Sequence, residues 1–341
     1  DEKMQDTILV TGATGFIGSH VVEQLLNFGH RVRVFVRSVE KLSDVGIGEQ
    51  PNLEVVQGDL LDRSTIGPAL NGVTHVFHIA GFISTHPKDS QKVLDLNYTT
   101  TFNLFEECRN REIKKIIYLA SIFALAGASE IPLTESADYN LSRFHFAYFR
   151  AKRKAELYAR ECVNRSDLPI VFMYPGFCYG PGDVYISSSR MIVMFLKRQT
   201  PIFIAGGQNA LDVRDAARGL ILGMEHGKIG EQYLLGGENR TYRELFDLLA
   251  AITGLKAPKF AVPKMAGQIT GRIAERLFTE PPIDFESSTM AGEYWYYDSS
   301  KAKSELGFTT RPLRETFRDS VQWLCHKGMA PWPSSWIKQK N

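Results

Sequence analysis

The stretch Thr11 to Gly18, TGATGFIG, constrains the fold of this chain more than any other. It follows the run Thr7-Ile8-Leu9-Val10 and precedes Ser19 to Leu26, SHVVEQLL, where apolar residues recur at helical spacing. Three glycines alone would fit an ordinary αβ turn, but a strand, a glycine turn and a helix N-terminus in succession favour a dinucleotide site. Gly12 can take a backbone conformation closed to other residues, Gly15 lets a pyrophosphate approach the main chain, and Gly18 lets the helix pack on the strand. The free N–H groups of the first helical turn then face the phosphates.

Arg31-Val32-Arg33-Val34-Phe35-Val36-Arg37 alternates like a strand with one wetter face, and it ends in an arginine. About 20 residues past such glycines, Asp or Glu bonds the 2′-hydroxyl of NAD, whereas Arg accommodates the 2′-phosphate of NADP. Arg37, with Lys41 as a second cation, favours NADP(H); the plainer reading is a solvated arginine at a strand end. The next strand, Leu53-Glu54-Val55-Val56-Gln57, ends at Gly58-Asp59-Leu60, where Asp59 could accept from an adenine amino group or cap the following helix. A fourth, His75-Val76-Phe77-His78-Ile79, runs into Ala80-Gly81, small residues where a cofactor backbone could lie. His75 and His78 point to opposite faces of a strand, so no metal site is expected. A helix from Ser90 to Asn110 and a fifth strand, Lys115 to Leu119, ending at Ala120-Ser121, complete an alternation that predicts a parallel sheet with right-handed crossovers. Ligands of such sheets bind outside the carboxyl ends of the strands, where Gly12, Arg37, Asp59, Gly81 and Ser121 all fall.

Past Ser121, a loop from Gly127 to Phe146 leads to a helix beginning near Ala147 that carries Tyr148-Phe149-Arg150-Ala151-Lys152. Tyr148 and Lys152 share one helix face. A tyrosine is unionised near neutrality, and an adjacent ammonium stabilises its phenolate and draws the pKa toward the working range. So tuned, Tyr148 can give a proton to a carbonyl oxygen as hydride arrives, or take one from an alcohol in reverse. Ser121 could donate a second hydrogen bond to that oxygen. Alone, such a pair also arises on a solvated helix.

Taken together these motifs resemble the extended short-chain dehydrogenase/reductase family. TGATGFIG, Gly58-Asp59-Leu60, His78-Ile79-Ala80-Gly81, Asn97, Ser121, YFRAK and Tyr179-Gly180-Pro181-Gly182-Asp183 occur in that family's order. Ser299 to Phe308, SSKAKSELGF, is similar to its closing signature, so the likeness runs over residues 7–325. It is strongest toward the dihydroflavonol-4-reductase-like branch, which includes proteins described as hopanoid-associated sugar epimerases; Asp212-Val213-Arg214-Asp215 and Gly236-Gly237-Glu238-Asn239 carry that part. The resemblance implies an α/β fold, a doubly wound parallel sheet (Rossmann) with a smaller C-terminal substrate lobe. NADP binding would fall to residues 4–180 with returning segments near 208–236 and 295–310, and substrate mainly to 181–330. Tyr148 would be the acid/base, Lys152 would bind the nicotinamide ribose and lower the tyrosine pKa, and Ser121 would polarise the carbonyl. Asn97 matches the family's asparagine, holding backbone structure or acting on substrate. Cofactor contacts extend by the same likeness to Thr11, Thr14, Phe16, Ile17, Leu60, Ala80, Ala120 and Pro175-Gly176-Phe177-Cys178, after a sixth strand from Ile170 to Met173. Ala120 stands where many relatives have serine and Thr100 where glycine is usual; neither removes a catalytic group.

From Pro181 the alternation loosens, punctuated by Gly206-Gly207, Pro258, Pro263, Pro281-Pro282 and Pro312. Helices are expected over Ser188 to Arg198, Val213 to Glu225, Tyr242 to Ile252, Lys264 to Phe278 and Leu313 to Leu324. In the Lys264 helix, Met265, Ile269, Ile273, Leu277 and Phe278 have amphipathic spacing; packing within the lobe is the default, a lid or membrane-touching helix the alternative. Pocket candidates are Phe82, Ile83, Phe177, Tyr179 and Tyr185, with His86 and His145 as polar options. Phe144-His145-Phe146 is either an apolar mouth for an aromatic or lipid-like carbonyl compound or plain core. Arg190, Lys197 and Arg214 could meet a nucleotide-sugar diphosphate instead.

A net charge of +2 implies neither nucleic acid nor an anionic membrane as partner. No apolar run reaches the roughly 18 residues of a spanning helix, and no secretory signal order opens the chain. Cys108, Cys162, Cys178 and Cys325 show no metal-ligand spacing and fit a reducing cytoplasm. The expectation is a cytoplasmic NADP(H)-dependent oxidoreductase that reduces a ketone or aldehyde of an aromatic or lipid-like small molecule. The alternatives are a nucleotide-sugar epimerase/dehydratase and a non-catalytic NADP-binding sensor or assembly subunit. The helices starting near Ser90 and Ala147 could build a homodimer, as in many relatives.

Overall fold

Neighbouring residues of the first strand are buried on opposite sides of one sheet: Ile8 and Val10 enter one core, Leu9 another. A strand apolar on both faces needs helices on both, and this is what the chain supplies. The computed structural model describes residues 6–277 and 285–337. Its strands are β1 (Thr7–Thr11), β2 (Arg31–Val36), β3 (Leu53–Gln57), β4 (Val73–His78), β5 (Lys115–Leu119), β6 (Ser129–Leu133), β7 (Ile170–Pro175), β8 (Phe177–Tyr179), β9 (Ile202–Ile204), β10 (Gly207–Asp212), β11 (Gln232–Leu235), β12 (Glu238–Thr241), β13 (Phe260–Val262) and β14 (Tyr294–Tyr297). Among the described residues, seven form the main sheet in the order β11-β7-β5-β4-β1-β2-β3, with every pairing parallel. The strand order reverses between β1 and β4, the position at which doubly wound sheets open a ligand crevice.

Helices Phe16–Asn27, Val213–His226 and Ser300–Leu306 cover one face of the main sheet. Arg63–Ala69, Thr100–Cys108 and Ala147–Asn164 cover the other. In Ala147–Asn164 the inward residues are mostly small, Ala151, Ala155, Ala159 and Cys162, with Phe149 fully buried among them. Phe149 contributes about 1.5–3 kcal/mol by leaving water, and the alanines bring the helix close to the sheet. Tyr148, Lys152 and Glu156 lie on that same buried face.

A second sheet, β12-β10-β14-β6 with β8 beside β10, carries the later chain. β6 falls where the sequence reads as a loop from Gly127 to Phe146. Its residues are mostly exposed and include Pro132, and it exists because β14, far along the chain, pairs with it. The segment expected to return near 208–236 divides: β10 joins the second sheet, whereas Val213–His226 and β11 join the main one. Helices Arg190–Leu196, Tyr242–Thr253 and Leu313–His326 close around a third core.

Two expectations about helices change. The stretch from Ser90 is three pieces, Ser90–Leu94, a π-turn Asp95–Thr99 and Thr100–Cys108. The helix Lys264–Leu277 does not turn its large apolar residues into the lobe. Gly267, Gly271 and Ala274 pack inward; a Cβ on Gly267 would meet Ile204 Cδ1 at 2.5 Å, so only a small residue fits that contact. Met265, Ile269, Ile273 and Leu277 face out, which overturns packing within the lobe as their explanation. Residue 278, Pro281-Pro282 and the start of the first domain at residue 4 lie outside the described residues. Among those described, no helix is long and apolar enough to cross a membrane.

Candidate active site

The glycine turn comes first. Gly12 has φ +76°, and a Cβ there would lie 2.6 Å from Ala80 N; a Cβ on Gly18 would lie 2.1 Å from Gly12 O. Both glycines are demanded by the fold itself. Gly15 is different: its Cβ would meet only Gly12 O, at 3.2 Å, so the protein's own packing barely requires a glycine there. Gly15 is the N-cap of Phe16–Asn27, and no side chain caps that helix. Half-exposed Thr14, Gly15, Phe16 and Ile17 therefore present main-chain N–H groups at an open helix end, the arrangement that binds a pyrophosphate.

Thr11, at the end of β1, is buried and ties the turn to β4. Its hydroxyl lies 2.9 Å from His78 Nδ1 and accepts from the Ile79 and Ala80 amides at 3.3 and 3.4 Å. His78 Nε2 reaches Thr101 Oγ1 at 2.9 Å, and its ring stacks on Tyr118. Burial holds His78 neutral, its pKa pulled down to about 3, with the Lys152 charge acting in the same direction.

At the end of β2, Arg37 is exposed and its carbonyl accepts from Gln57 Nε2. Lys41, also exposed, opens the short helix Lys41–Asp44. Two acids stand nearby in sequence: Glu40, bonded to the Ser38 hydroxyl at 2.6 Å, and Asp44 at the end of that helix. Asp59 does not cap the helix after β3. Asp62 does, accepting from Ser64 N, while Asp59 closes an Asx turn on Leu61 N. Leu60 is buried and its carbonyl takes a bond from Asn103.

The end of β4 meets Asn97 and Lys152. A Cβ on Gly81 would lie 3.1 Å from Asn97 Oδ1 and 3.8 Å from Lys152 Nζ. The Asn97 amide donates to Phe82 O and Val93 O, and its carbonyl accepts from Phe82 N. Its side chain is thus spent on holding the loop after β4, and it sits in the π-turn that interrupts its helix. π-turns inside helices often mark functional sites.

Ser121 follows β5 as N-cap of Ile122–Leu125, its hydroxyl accepting from Phe123 N at 3.3 Å, and it acts to lower the Tyr148 phenol pKa. Tyr148 and Lys152 are both buried. Burial pushes the Tyr148 phenol up to about 12, the Ser121 bond acting against it; burial pulls the Lys152 ammonium down to about 8, the Glu156 charge acting against it. Where the sequence leads one to expect a phenol pKa lowered by Lys152, the phenol here is raised, because burial disfavours its charged form. Sequence reasoning misses Glu156, one turn beyond Lys152. It is fully buried and takes hydrogen bonds from Tyr174 and Arg160, and its spacing from Lys152 is visible in the sequence as a further step of four.

Ala120 is buried with its N–H on Met173 O. Pro175 ends β7; the Gly176 amide bonds Leu235 O, and a Cβ on Gly176 would strike Asn209 Oδ1 at 2.4 Å. Cys178 is buried, with its thiol pKa raised by burial. Phe177 and Tyr148 both pack edge-on against the Phe123 ring, each at 6.0 Å. Phe82 is half-buried with Lys92 above its ring. Ile83 and Tyr185 stay exposed on their loops, Tyr179 is core, and His86 is engaged in its own loop, its Nδ1 accepting from Lys88 N. His145 lines a cavity of about 440 Å³ together with Phe144, Phe146, Gln268 and Phe285, just before Tyr148 in the chain. Of the cations considered for a diphosphate, Arg214 is held by Asp212 at 2.7 Å and Asp319 at 2.9 Å. Among the described residues no cluster of His, Cys, Asp and Glu could hold a metal ion.

The sequence profile of the NAD dependent epimerase/dehydratase family matches residues 8–236. A protein of Synechocystis sp., provisionally named dihydroflavonol 4-reductase, is 30% identical over 335 residues, covering 95% of this chain and 96% of its own. Sterol demethylase protein B of Methylococcus capsulatus is 31% identical over 340 residues, covering 95% and 99%. Among solved structures, that of gox2253 superposes with a TM-score of 0.83 at 32% identity, covering 96% of this chain and all of the other.

Proposed function

The chain belongs to the NAD dependent epimerase/dehydratase family, and on that premise we propose that it is an NADP(H)-dependent reductase of a ketone or aldehyde on an aromatic or lipid-like small molecule. When bound, the dinucleotide supplies the hydride. The open helix end at Gly15 would hold its pyrophosphate, and Arg37 and Lys41 its 2′-phosphate. Tyr148, kept protonated by burial, donates its proton to the carbonyl oxygen as that oxygen becomes an alkoxide. Ser121 shares a hydrogen bond with the same oxygen, and Lys152, cationic below about pH 8, stabilises the phenolate left behind. Thr11, His78 and Asn97 fix the strand ends and the Phe82 loop beside that centre. The observation that carries this reading is the burial of Tyr148 with its phenol kept protonated and of Lys152 one turn on along the same helix face.

Nucleotide-sugar epimerisation or dehydration is the competing reaction within the family. The commitment of Arg214 to two carboxylates, and three phenylalanines, Phe144, Phe146 and Phe285, in a cavity that Arg143 and Glu286 also line, support an apolar carbonyl compound instead. Buried free cysteines suit a reducing cytoplasm, and exposed Leu157 on Ala147–Asn164 suits a homodimer through that helix. The test is NADPH oxidation across aromatic ketones, long-chain aldehydes and nucleotide sugars. Stoichiometric NADPH loss with an apolar carbonyl compound is expected. Conversion of a nucleotide sugar without net NADPH loss, or turnover of no carbonyl compound, would overturn the proposal.

A further inference from the structure

The helix Lys264–Leu277 turns a polar row toward its neighbour, the helix Phe285–Ala291. Lys264 pairs with Glu293, Gln268 Nε2 donates to Thr289 Oγ1 at 3.1 Å, and Glu275 accepts from Phe285 N at 2.8 Å. Gln268 stands apart because its partner fixes which way its amide points. The Thr289 hydroxyl has a single hydrogen, which goes to Phe285 O at 2.8 Å, so toward Gln268 it can only accept. The amide end at Thr289 is therefore Nε2, and the carbonyl Oε1 is the end left over. Among the described residues nothing donates to Oε1, and it is not enclosed.

Gln268 is half-buried and lines the cavity of about 440 Å³ beside Phe144, Phe146 and Phe285. Phe146 is the N-cap of Ala147–Asn164, so the cavity wall runs into that helix two residues before Tyr148. The charged groups of the wall, Arg143 and Glu286, are of opposite sign, and Arg143 lies 3.4 Å from Glu293. The wall therefore offers no net attraction to an anion. Of its other polar residues, Thr289 has its hydroxyl spent on Phe285 O and His145 is exposed. Three phenyl rings suit an apolar body, but a body that covers Oε1 without donating to it strips that oxygen of water and returns nothing.

On the reading of this cavity as the substrate site of a carbonyl reductase, we propose that Gln268 sets specificity. Its Oε1 accepts a hydrogen bond from a hydroxyl group on the apolar body of the substrate, so the compound reduced is a hydroxylated aromatic or lipid-like carbonyl compound rather than a bare one.

The probes are methyl ketones with a terminal phenyl ring on chains of graded length, each as the parent, the para-hydroxyl compound and its methyl ether. NADPH oxidation gives kcat/KM, and calorimetry on the protein saturated with NADP⁺ gives Kd. At the chain length that fits, the hydroxyl compound is expected to exceed the other two by about three- to tenfold in both, the yield of one hydrogen bond between neutral groups. The methyl ether accepts but cannot donate, which separates a bond to Oε1 from one made by the second Nε2 hydrogen. Gln268→Met should bring the ratio of hydroxyl compound to parent to about one. Gln268→Glu should keep or enlarge it, because an ionised acceptor bonds more strongly. A purely structural role at Thr289 would weaken all three compounds alike and leave the ratio unmoved. The proposal is overturned if the unmodified protein shows no hydroxyl preference at any length, if the methyl ether matches the hydroxyl compound, or if Gln268→Met keeps the preference with unchanged circular dichroism. A binding preference without NADPH oxidation contradicts the reductase reading instead and supports the assignment of Gln268.

Discussion

Gly15 and Gly18 stand three residues apart in one turn, yet substitution by alanine should break different properties. A Cβ on Gly18 would sit 2.1 Å from Gly12 O, 2.8 Å from Gly12 C and 3.2 Å from Ala13 Cα. Ordinary van der Waals contact is wider than the first two of these, so the helix or the turn must move by about an ångström. The turn cannot yield, because Gly12 is itself pressed against the Ala80 backbone. Gly18→Ala should therefore cost the upper end of the about 1–3 kcal/mol typical of overpacking, a fall in Tm of roughly 4 °C for a chain of 341 residues. A Cβ on Gly15 meets only Gly12 O at 3.2 Å, with φ −91° and ψ 170° open to any residue. Gly15→Ala should cost about 1 kcal/mol, the difference between glycine and alanine at an N-cap, while its methyl group projects into the space proposed for the pyrophosphate. Thermal unfolding by circular dichroism and NADPH titration by fluorescence separate the two. The expected result is a nearly normal Tm with at least about tenfold weaker NADPH binding, about 1.4 kcal/mol, for Gly15→Ala, and a lowered Tm for Gly18→Ala. Normal NADPH affinity in Gly15→Ala would show that the pyrophosphate does not approach there, and a normal Tm in Gly18→Ala would refute the packing argument.

Arg37→Ala should leave stability unchanged, since the side chain is exposed, and should bring NADPH and NADH affinities within about threefold of each other by removing a charge-assisted phosphate contact; equal affinities in the unmodified protein would refute the assignment of Arg37. Because burial lowers Lys152 to about 8, carbonyl reduction should decline as pH rises through that value and the cation is lost. Glu156→Gln, removing the charge that raises Lys152, should shift that decline to lower pH; an unmoved pH–rate profile would count against it. His78, pulled down to about 3 from 6.5, has a folded pKa below its unfolded value, so the unfolded chain binds the extra proton and stability is lost as pH falls below about 6.5. The loss approaches about 1.4 kcal/mol per pH unit. His78→Asn should flatten the acid limb of the urea midpoint against pH, and a limb of unchanged slope would place the effect elsewhere.

Elements made by local pattern are legible in the sequence. β1, β2, β4 and β5 announce themselves as β-branched runs, and Gly12 and Gly18 are glycines because backbone contacts at 2.6 and 2.1 Å exclude anything else. Tyr148 and Lys152 are legible because helical spacing alone puts them on one face. Features set by distant partners are not. β6 is a mostly exposed SEIPL segment that becomes a strand only against β14. The cap on the helix after β3 is Asp62 rather than Asp59, a difference of three residues that sequence cannot weigh when both precede the helix. The raised phenol pKa of Tyr148 follows from complete burial, which a reading of charges four residues apart leaves out. The Lys264–Leu277 helix inverts its expected orientation because Gly267, Gly271 and Ala274, not the larger residues, provide the close contact with its neighbours.

The central proposal is that Tyr148 delivers the proton while hydride reaches the carbonyl carbon. Single-turnover reduction of the best apolar carbonyl substrate by Tyr148→Phe loaded with NADPH tests it most directly, because cofactor binding and chemistry are read separately. The expected result is NADPH affinity within about threefold of the unmodified protein and a hydride-transfer rate at least ~100-fold slower, the range that general acid catalysis contributes. A normal rate in that variant would contradict it.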